Sequence, residues 1–125
     1  MKTKYDEAEK FITKDRSIIR ELMHPNKHGD ASHNVKNQSL AEATVPVGKA
    51  TVLHKHGLTE ELYHITSGEG VMTLGDKQFA VSVGDTICIP PGTAHCIKNT
   101  GDNELIIMCC CSPAYSHEDT ELLSN

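Results

Sequence analysis

Two histidines separated by one residue, His54 and His56, are the feature of this sequence best suited to chemistry. The residues just before them, 50–53, are largely apolar and β-branched, which favours a strand. On a strand, residues two apart point to the same face with their Cα atoms about 6.5–7 Å apart. On a helix the same two side chains would point to nearly opposite sides. Two imidazoles on one strand face can bind a single transition-metal ion.

A carboxylate follows on the next predicted strand. The alternation of side chains along a strand places Glu61 on the inward face together with Tyr63. The same alternation places Glu60 and His64 on the outward face. Glu61 is therefore the predicted carboxylate ligand, and His64 is predicted to be a surface or interface residue.

Tyr63 is the candidate catalytic residue, because it lies two positions beyond Glu61 on the same predicted face. Its hydroxyl could donate a proton or orient a bound oxyanion. The alternative is a core aromatic residue whose hydroxyl finds a hydrogen-bond partner.

The composition excludes several classes of partner. The chain has 125 residues and a formal net charge of -5, with no basic run, so we expect no nucleic-acid partner. Its longest apolar run, residues 105–111, is far shorter than the ~20 residues that span a bilayer, so we expect no membrane partner. No apolar stretch follows the charged first residues, so we expect no signal peptide. Five cysteines, three of them consecutive, favour a reduced, cytoplasmic protein.

Turn-forming residues recur about every eight to twelve positions from residue 39 onward, which indicates an all-β barrel of antiparallel strands. We predict an N-terminal arm and polar loop over residues 1–38, a barrel over 39–111 and a C-terminal tail over 112–125. A two-residue hairpin is predicted at Gly75-Asp76. The predicted strands lie at 39–45, 50–56, 61–67, 70–74, 77–81, 85–89, 94–99 and 104–110.

Two features of the N-terminal segment have alternative interpretations. Residues 17–22 could form a first strand or a short helix capped by Asp15. The turn-rich loop at 25–34 is either a solvated loop or a lid over the barrel mouth. The histidines in or beside this loop are His24, His28 and His33.

Two motifs resemble those of the cupin family. The first is a glycine, five residues, His-any-His, three or four residues, a glutamate, six residues and a glycine. This sequence matches it at Gly48, His54, His56, Glu61 and Gly68.

The second motif is a glycine, five residues, Pro-any-Gly, two residues, a histidine, three residues and an asparagine. It is matched at Gly84, Pro90, Gly92, His95 and Asn99. The glycines, the proline and the asparagine are interpreted as residues that shape the turns and bulges between strands.

The resemblance implies a cupin double-stranded β-helix, which is a jelly-roll-like barrel, with an irregular N-terminal arm. In cupins the strands that carry the two motifs lie side by side, so His95 would join His54, His56 and Glu61 around one divalent transition-metal ion. Three imidazoles and a carboxylate suit Fe, Mn, Ni, Co, Cu and Zn alike.

The resemblance also implies a function class. We expect a metal-dependent enzyme that acts on a small polar substrate by dioxygenase, isomerase or lyase type chemistry, although the fold does not choose among these reactions. The alternative is a non-catalytic module that binds or senses a small ligand. We expect a homodimer, because small cupins commonly pair and the predicted strand 104–110 is apolar on both faces.

Overall fold

The computed structural model describes residues 1–28 and 35–123, and it confirms the all-β fold class. Within these two ranges, no helix is long and apolar enough to cross a membrane. A three-residue 3-10 helix, Tyr5–Glu7, precedes the strands. The strands are β1 (Lys10–Ile12), β2 (Ile18–Met23), β3 (Ser39–Val45), β4 (His54–His56), β5 (Glu60–Ser67), β6 (Glu69–Leu74), β7 (Lys77–Ser82), β8 (Thr86–Ile89), β9 (His95–Asn99), β10 (Leu105–Ser112) and β11 (Thr120–Leu122).

The strands form two antiparallel sheets. The larger sheet has the order β1-β2-β3-β10-β5-β8, and the smaller has the order β11-β4-β9-β6-β7. Strands distant in sequence are therefore neighbours, as β4 and β9 are in the smaller sheet. This pairing brings the histidines of the two motifs into one sheet, whereas Glu61 lies on β5 of the larger sheet.

The core lies between the two sheets and follows from the alternation of side chains. Along β5 and along β10, buried residues alternate strictly with more exposed ones up to the strand ends. Burying one apolar face of each sheet against the other removes that surface from water, which is the main favourable contribution to folding. The centre of the core is formed by Ile65, Met72, Ile97, Leu105 and Ile107.

The hairpin predicted from Gly75-Asp76 is present between β6 and β7. Leu74 pairs with Lys77, which leaves two residues in the turn. Gly75 adopts a φ of 60°, a left-handed conformation that a residue without Cβ takes at little cost. The local sequence therefore sets the register of this strand pair.

Both terminal segments take part in the sheets. Residues 17–22 lie mostly in β2, which pairs with β3, so the strand interpretation is the correct one. At the other end, β11 pairs with β4. The strand predicted for 50–56 is shorter than expected, because the Val52 N–H donates to the carbonyl of Asp15 at 2.8 Å rather than to a neighbouring strand.

Candidate metal centre

Three histidines meet at one place in the smaller sheet. His54 and His56 come from β4, and His95 lies directly opposite His54 on β9. All three are buried, and His95 is fully inaccessible. One ring nitrogen from each lies within 4.8 Å of those of the other two. The same-face prediction for His54 and His56 is thus consistent with the geometry.

The backbone sets the orientation of two of these rings. His54 Nδ1 lies 2.6 Å from the Val52 carbonyl, and His95 Nδ1 lies 3.0 Å from the Thr93 carbonyl. A carbonyl oxygen only accepts hydrogen bonds, so each Nδ1 carries the proton. With Nδ1 engaged behind it, each ring directs Nε2 to the centre, which is the arrangement of a metal-binding histidine.

A side chain from the C-terminal tail orients the third ring. His56 Nδ1 lies 3.0 Å from Thr120 Oγ1, and the Thr120 hydroxyl donates to the Ser116 carbonyl at 2.9 Å. With its proton engaged, Thr120 accepts the hydrogen bond from His56. The sequence analysis missed Thr120, because nothing in the tail indicates that β11 pairs with β4.

Glu61 points inward from β5, whereas Glu60 is exposed. Glu61 Oε1 lies 3.4 Å from His56 Nε2 and 3.6 Å from His95 Nε2. Glu61 Oε2 accepts a hydrogen bond from the Cys111 thiol at 3.3 Å. Burial opposes ionisation of this carboxyl, but the rings of His56 and His95, when they carry a proton on Nε2, donate hydrogen bonds and positive charge that outweigh burial and lower the pKa of Glu61 to about 2. Glu61 is therefore a carboxylate.

A second carboxylate, Asp15, lies on the other side of the histidines and was missed as a site residue. A tight turn with Arg16 at a φ of 70° presents it. Asp15 Oδ1 accepts from the Ser17 hydroxyl at 2.8 Å, and Oδ2 lies 3.2 Å from His54 Nε2. Burial and the neighbouring His95 lower the pKa of His54, and the charge of Asp15 only partly offsets this.

The donor set fits a divalent transition-metal ion. Imidazole nitrogens face carboxylate oxygens at 3.2–3.6 Å, and this arrangement is favourable only with a positive charge among them, either a proton on an imidazole or a metal ion. Two donors on opposite sides of one ion are about 4.2 Å apart, so these separations are within reach of a shared ion. Among the described residues, Glu61 Oε1 and His95 Nε2 have no hydrogen-bond partner although both are buried. Buried polar atoms without partners are costly, which is the condition that a bound cation would relieve.

A cavity of about 40 Å³ opens beside the histidines. A water molecule needs at least about 10–15 Å³ measured in this way, so the cavity holds a few waters or a ligand of a few heavy atoms. Tyr63 and Tyr115 both line it. Burial raises the pKa of Tyr63 well above its ordinary value and that of Tyr115 to about 12, so both hydroxyls stay protonated. Tyr115 gave no signal in the sequence analysis.

The other histidines of the described ranges lie outside the cluster. His64 is exposed on the outward face, where its Nδ1 lies 2.8 Å from Thr86 Oγ1. His24 is buried rather than solvated, and its Nε2 contacts the Tyr115 carbonyl at 2.7 Å. The polar loop considered as a lid falls largely in residues 29–34, including His33, and these lie outside the described residues.

Comparison with known proteins places these observations in a family. The family described as "Cupin domain" matches residues 41–111. The chain is 57% identical over 98% of its length to an uncharacterised protein of Methanocaldococcus jannaschii, covering 94% of that protein. It is 37% identical to an oxalate-binding protein of Thermotoga maritima over 61% of this chain and 62% of that one.

A solved structure shares the fold at low sequence identity. Streptomyces Pac13, described as a nucleoside dehydratase and solved with uridine, superposes with a TM-score of 0.78 at 16% identity. The match covers 99% of this chain and 90% of that one. At this identity the similarity concerns the fold alone.

The Thr120 hydroxyl is expected to stabilise the folded protein through His56. Substituting Thr120→Val leaves the buried His56 Nδ1–H without an acceptor, which should lower the free energy of unfolding by about 1–3 kcal/mol. Thr86→Val is the matched control, because Thr86 makes the same contact to the exposed His64 and should change stability by less than about 0.5 kcal/mol. Urea denaturation of the metal-free proteins measures both. Equal effects of the two substitutions would contradict the orienting role of Thr120.

Proposed function

This chain belongs to the cupin domain family, and on that premise we propose that it binds one divalent transition-metal ion through His54, His56, Glu61 and His95. The observation that carries the proposal is the convergence of one ring nitrogen from each of His54, His56 and His95 within 4.8 Å of one another. Beside them, Glu61 Oε1 faces two of the rings at 3.4 and 3.6 Å and has no hydrogen-bond partner among the described residues. Imidazole and carboxylate donors suit Fe, Mn, Ni, Co, Cu and Zn, so the donor set does not select one metal.

We further propose that the protein is an enzyme acting on a small polar substrate. When bound, the ion would supply Lewis-acid or redox chemistry. The chain's own residues supply the rest: Tyr63 holds a proton beside the histidines, with its ring centroid 6.1 Å from that of His95, and can donate a hydrogen bond to a bound oxygen. The cavity volume of about 40 Å³ limits the substrate to a small molecule. Dioxygenase, isomerase and lyase chemistry all remain compatible with these parts.

The second candidate function is a non-catalytic module that binds a small ligand. The observation that favours it is the relative from Thermotoga maritima, which is named for binding oxalate rather than for a reaction. The same cavity and the same metal-binding residues would serve this function, because a binding module must fit its ligand but need not convert it.

Metal content tests the common premise of both functions. We expect the purified protein to hold about one transition-metal ion per chain by elemental analysis, and His95→Ala to lose it, because His95 is a central donor. His64→Ala is the matched control, since His64 is exposed on the outward face, and it should keep the wild-type content. Full metal content in His95→Ala would show that the site is assigned wrongly.

Turnover separates the enzyme from the binding module. Protein loaded anaerobically with each candidate metal is given a panel of small acids, sugars and thiols, and oxygen uptake and product formation are followed. If the protein is an enzyme, we expect turnover with at least one metal. We expect a metal-loaded Tyr63→Phe variant to lose this turnover, because it lacks the hydroxyl that donates the proton. Tight ligand binding with no turnover under any metal would instead establish the binding module.

We also propose that the protein is cytoplasmic and forms a homodimer. All five cysteines are free, which suits a reducing compartment. On the outer face of the larger sheet, Leu40 and Leu62 are exposed on either side of β10. Light scattering should give twice the chain mass of 13.7 kDa, and Leu62→Arg should halve it, whereas Leu58→Arg in the turn after β4 should not. A monomeric wild type would exclude the dimer, and secretion of the protein by its native cells would exclude the location.

A further inference from the structure

Glu21 is a buried acidic residue that no role assigned so far uses. It lies on β2 opposite Ala41 of β3, next to a register irregularity between Glu21 and Met23. It is only 5% exposed and lines the same cavity as His54 and His56. Strand irregularities of this kind re-aim side chains, and the small Ala41 opposite leaves space in front of Glu21.

Neither nitrogen of the nearest histidine hydrogen-bonds Glu21. His24 Nε2 lies 4.0 Å from Glu21 Oε1 and instead contacts the Tyr115 carbonyl at 2.7 Å. His24 Nδ1 accepts the Asn26 N–H at 3.0 Å. Glu21 Oε1 therefore has no hydrogen-bond partner among the described residues. Burial accordingly raises the pKa of Glu21.

A buried carboxyl oxygen without a partner destabilises a protein, and such groups cluster where a ligand supplies the missing contact. Glu21 comes from the larger sheet, whereas the three histidines come from the smaller one. A ligand that contacts the histidines with one end can therefore present its other end to Glu21 across the cavity.

The charges around the cavity indicate what that other end is. Its walls include the carboxyl groups of Asp15, Glu21 and Glu61 together with several hydroxyls, and no lysine or arginine among the described residues. A carboxylate or phosphate placed beside Glu21 would meet like charge, because the two cationic groups that act on Glu21, His24 and Lys27, do not line the cavity. A hydroxyl or amino group would instead donate a hydrogen bond to Oε1.

We propose that Glu21 binds the end of the ligand that faces β2, and that this end carries a hydroxyl or amino group rather than a carboxylate. The inference rests on the proposed metal-dependent function, because the opposite end of the ligand is assigned to the histidines. It makes a dicarboxylate such as oxalate a poor ligand for this chain, in contrast to the relative named for binding oxalate.

Calorimetric titration with matched small acids tests this specificity on the metal-containing protein. The probes are oxalate, glycolate and glycine, and their one-carbon-longer counterparts malonate, 3-hydroxypropionate and β-alanine. Each set keeps one carboxylate and changes only the other end. The titrations are run at mildly alkaline pH, where a carboxyl group is ionised, with metal content checked before and after.

The decisive quantity is the ratio of the dicarboxylate Kd to the hydroxy-acid Kd in wild type and in Glu21→Gln. Comparing ratios cancels the intrinsic affinity of each probe for the metal. We expect the ratio to fall at least tenfold in Glu21→Gln, because the carboxamide can donate to a carboxylate. Glu60→Gln, on the exposed face of β5, should keep the wild-type ratio.

A second measurement separates a ligand-binding role from a structural one. Glu21→Met removes the unpartnered carboxyl and should raise the midpoint of thermal unfolding, whereas loss of a structural carboxyl would lower it. A stoichiometric metal content with an unchanged Kd ratio, or a lowered midpoint, would overturn the assignment of Glu21 alone. Absence of metal from the wild-type protein would overturn the proposed function and this inference together.

Discussion

The structure depends on an electrostatic constraint at its centre: buried imidazole nitrogens face carboxylate oxygens. His54, His56 and His95 each direct Nε2 inward because Nδ1 is already hydrogen-bonded behind the ring. Glu61 and Asp15 lie against them at 3.2–3.6 Å. In a low-dielectric interior this arrangement is repulsive until a cation occupies it. A proton on an imidazole can supply that charge, and a metal ion that binds there would displace the proton.

The two sheets contribute different residues to this centre. The smaller sheet supplies the three histidines, through the pairing of β4 with β9. The larger sheet supplies the carboxyl groups of Glu21 and Glu61. Packing of the two sheets therefore brings the carboxyl groups to the histidines.

Elements outside the two sequence motifs complete the centre. The turn before β2 delivers Asp15, and the short strand β11 delivers Thr120 to the back of His56. The terminal segments thus hold the histidines in orientation while the motif strands hold them in position. Hydrogen bonds to the back of a histidine control its tautomer and its basicity as a metal ligand. The terminal segments therefore affect the metal-binding properties of the centre as well as the fold.

The sequence by itself determined the features that depend on neighbours along one strand. Alternation placed His54 with His56 and chose Glu61 over Glu60, and the Gly75-Asp76 pair specified its hairpin. Only the tertiary structure decided that Asp15, Glu21 and Thr120 lie at the centre. Asp15 and Thr120 each contact a histidine from a distant segment, as with His56 and Thr120, which are 64 positions apart. Side-chain periodicity reports which face a residue occupies, but it carries no information about which distant segment will lie against that face.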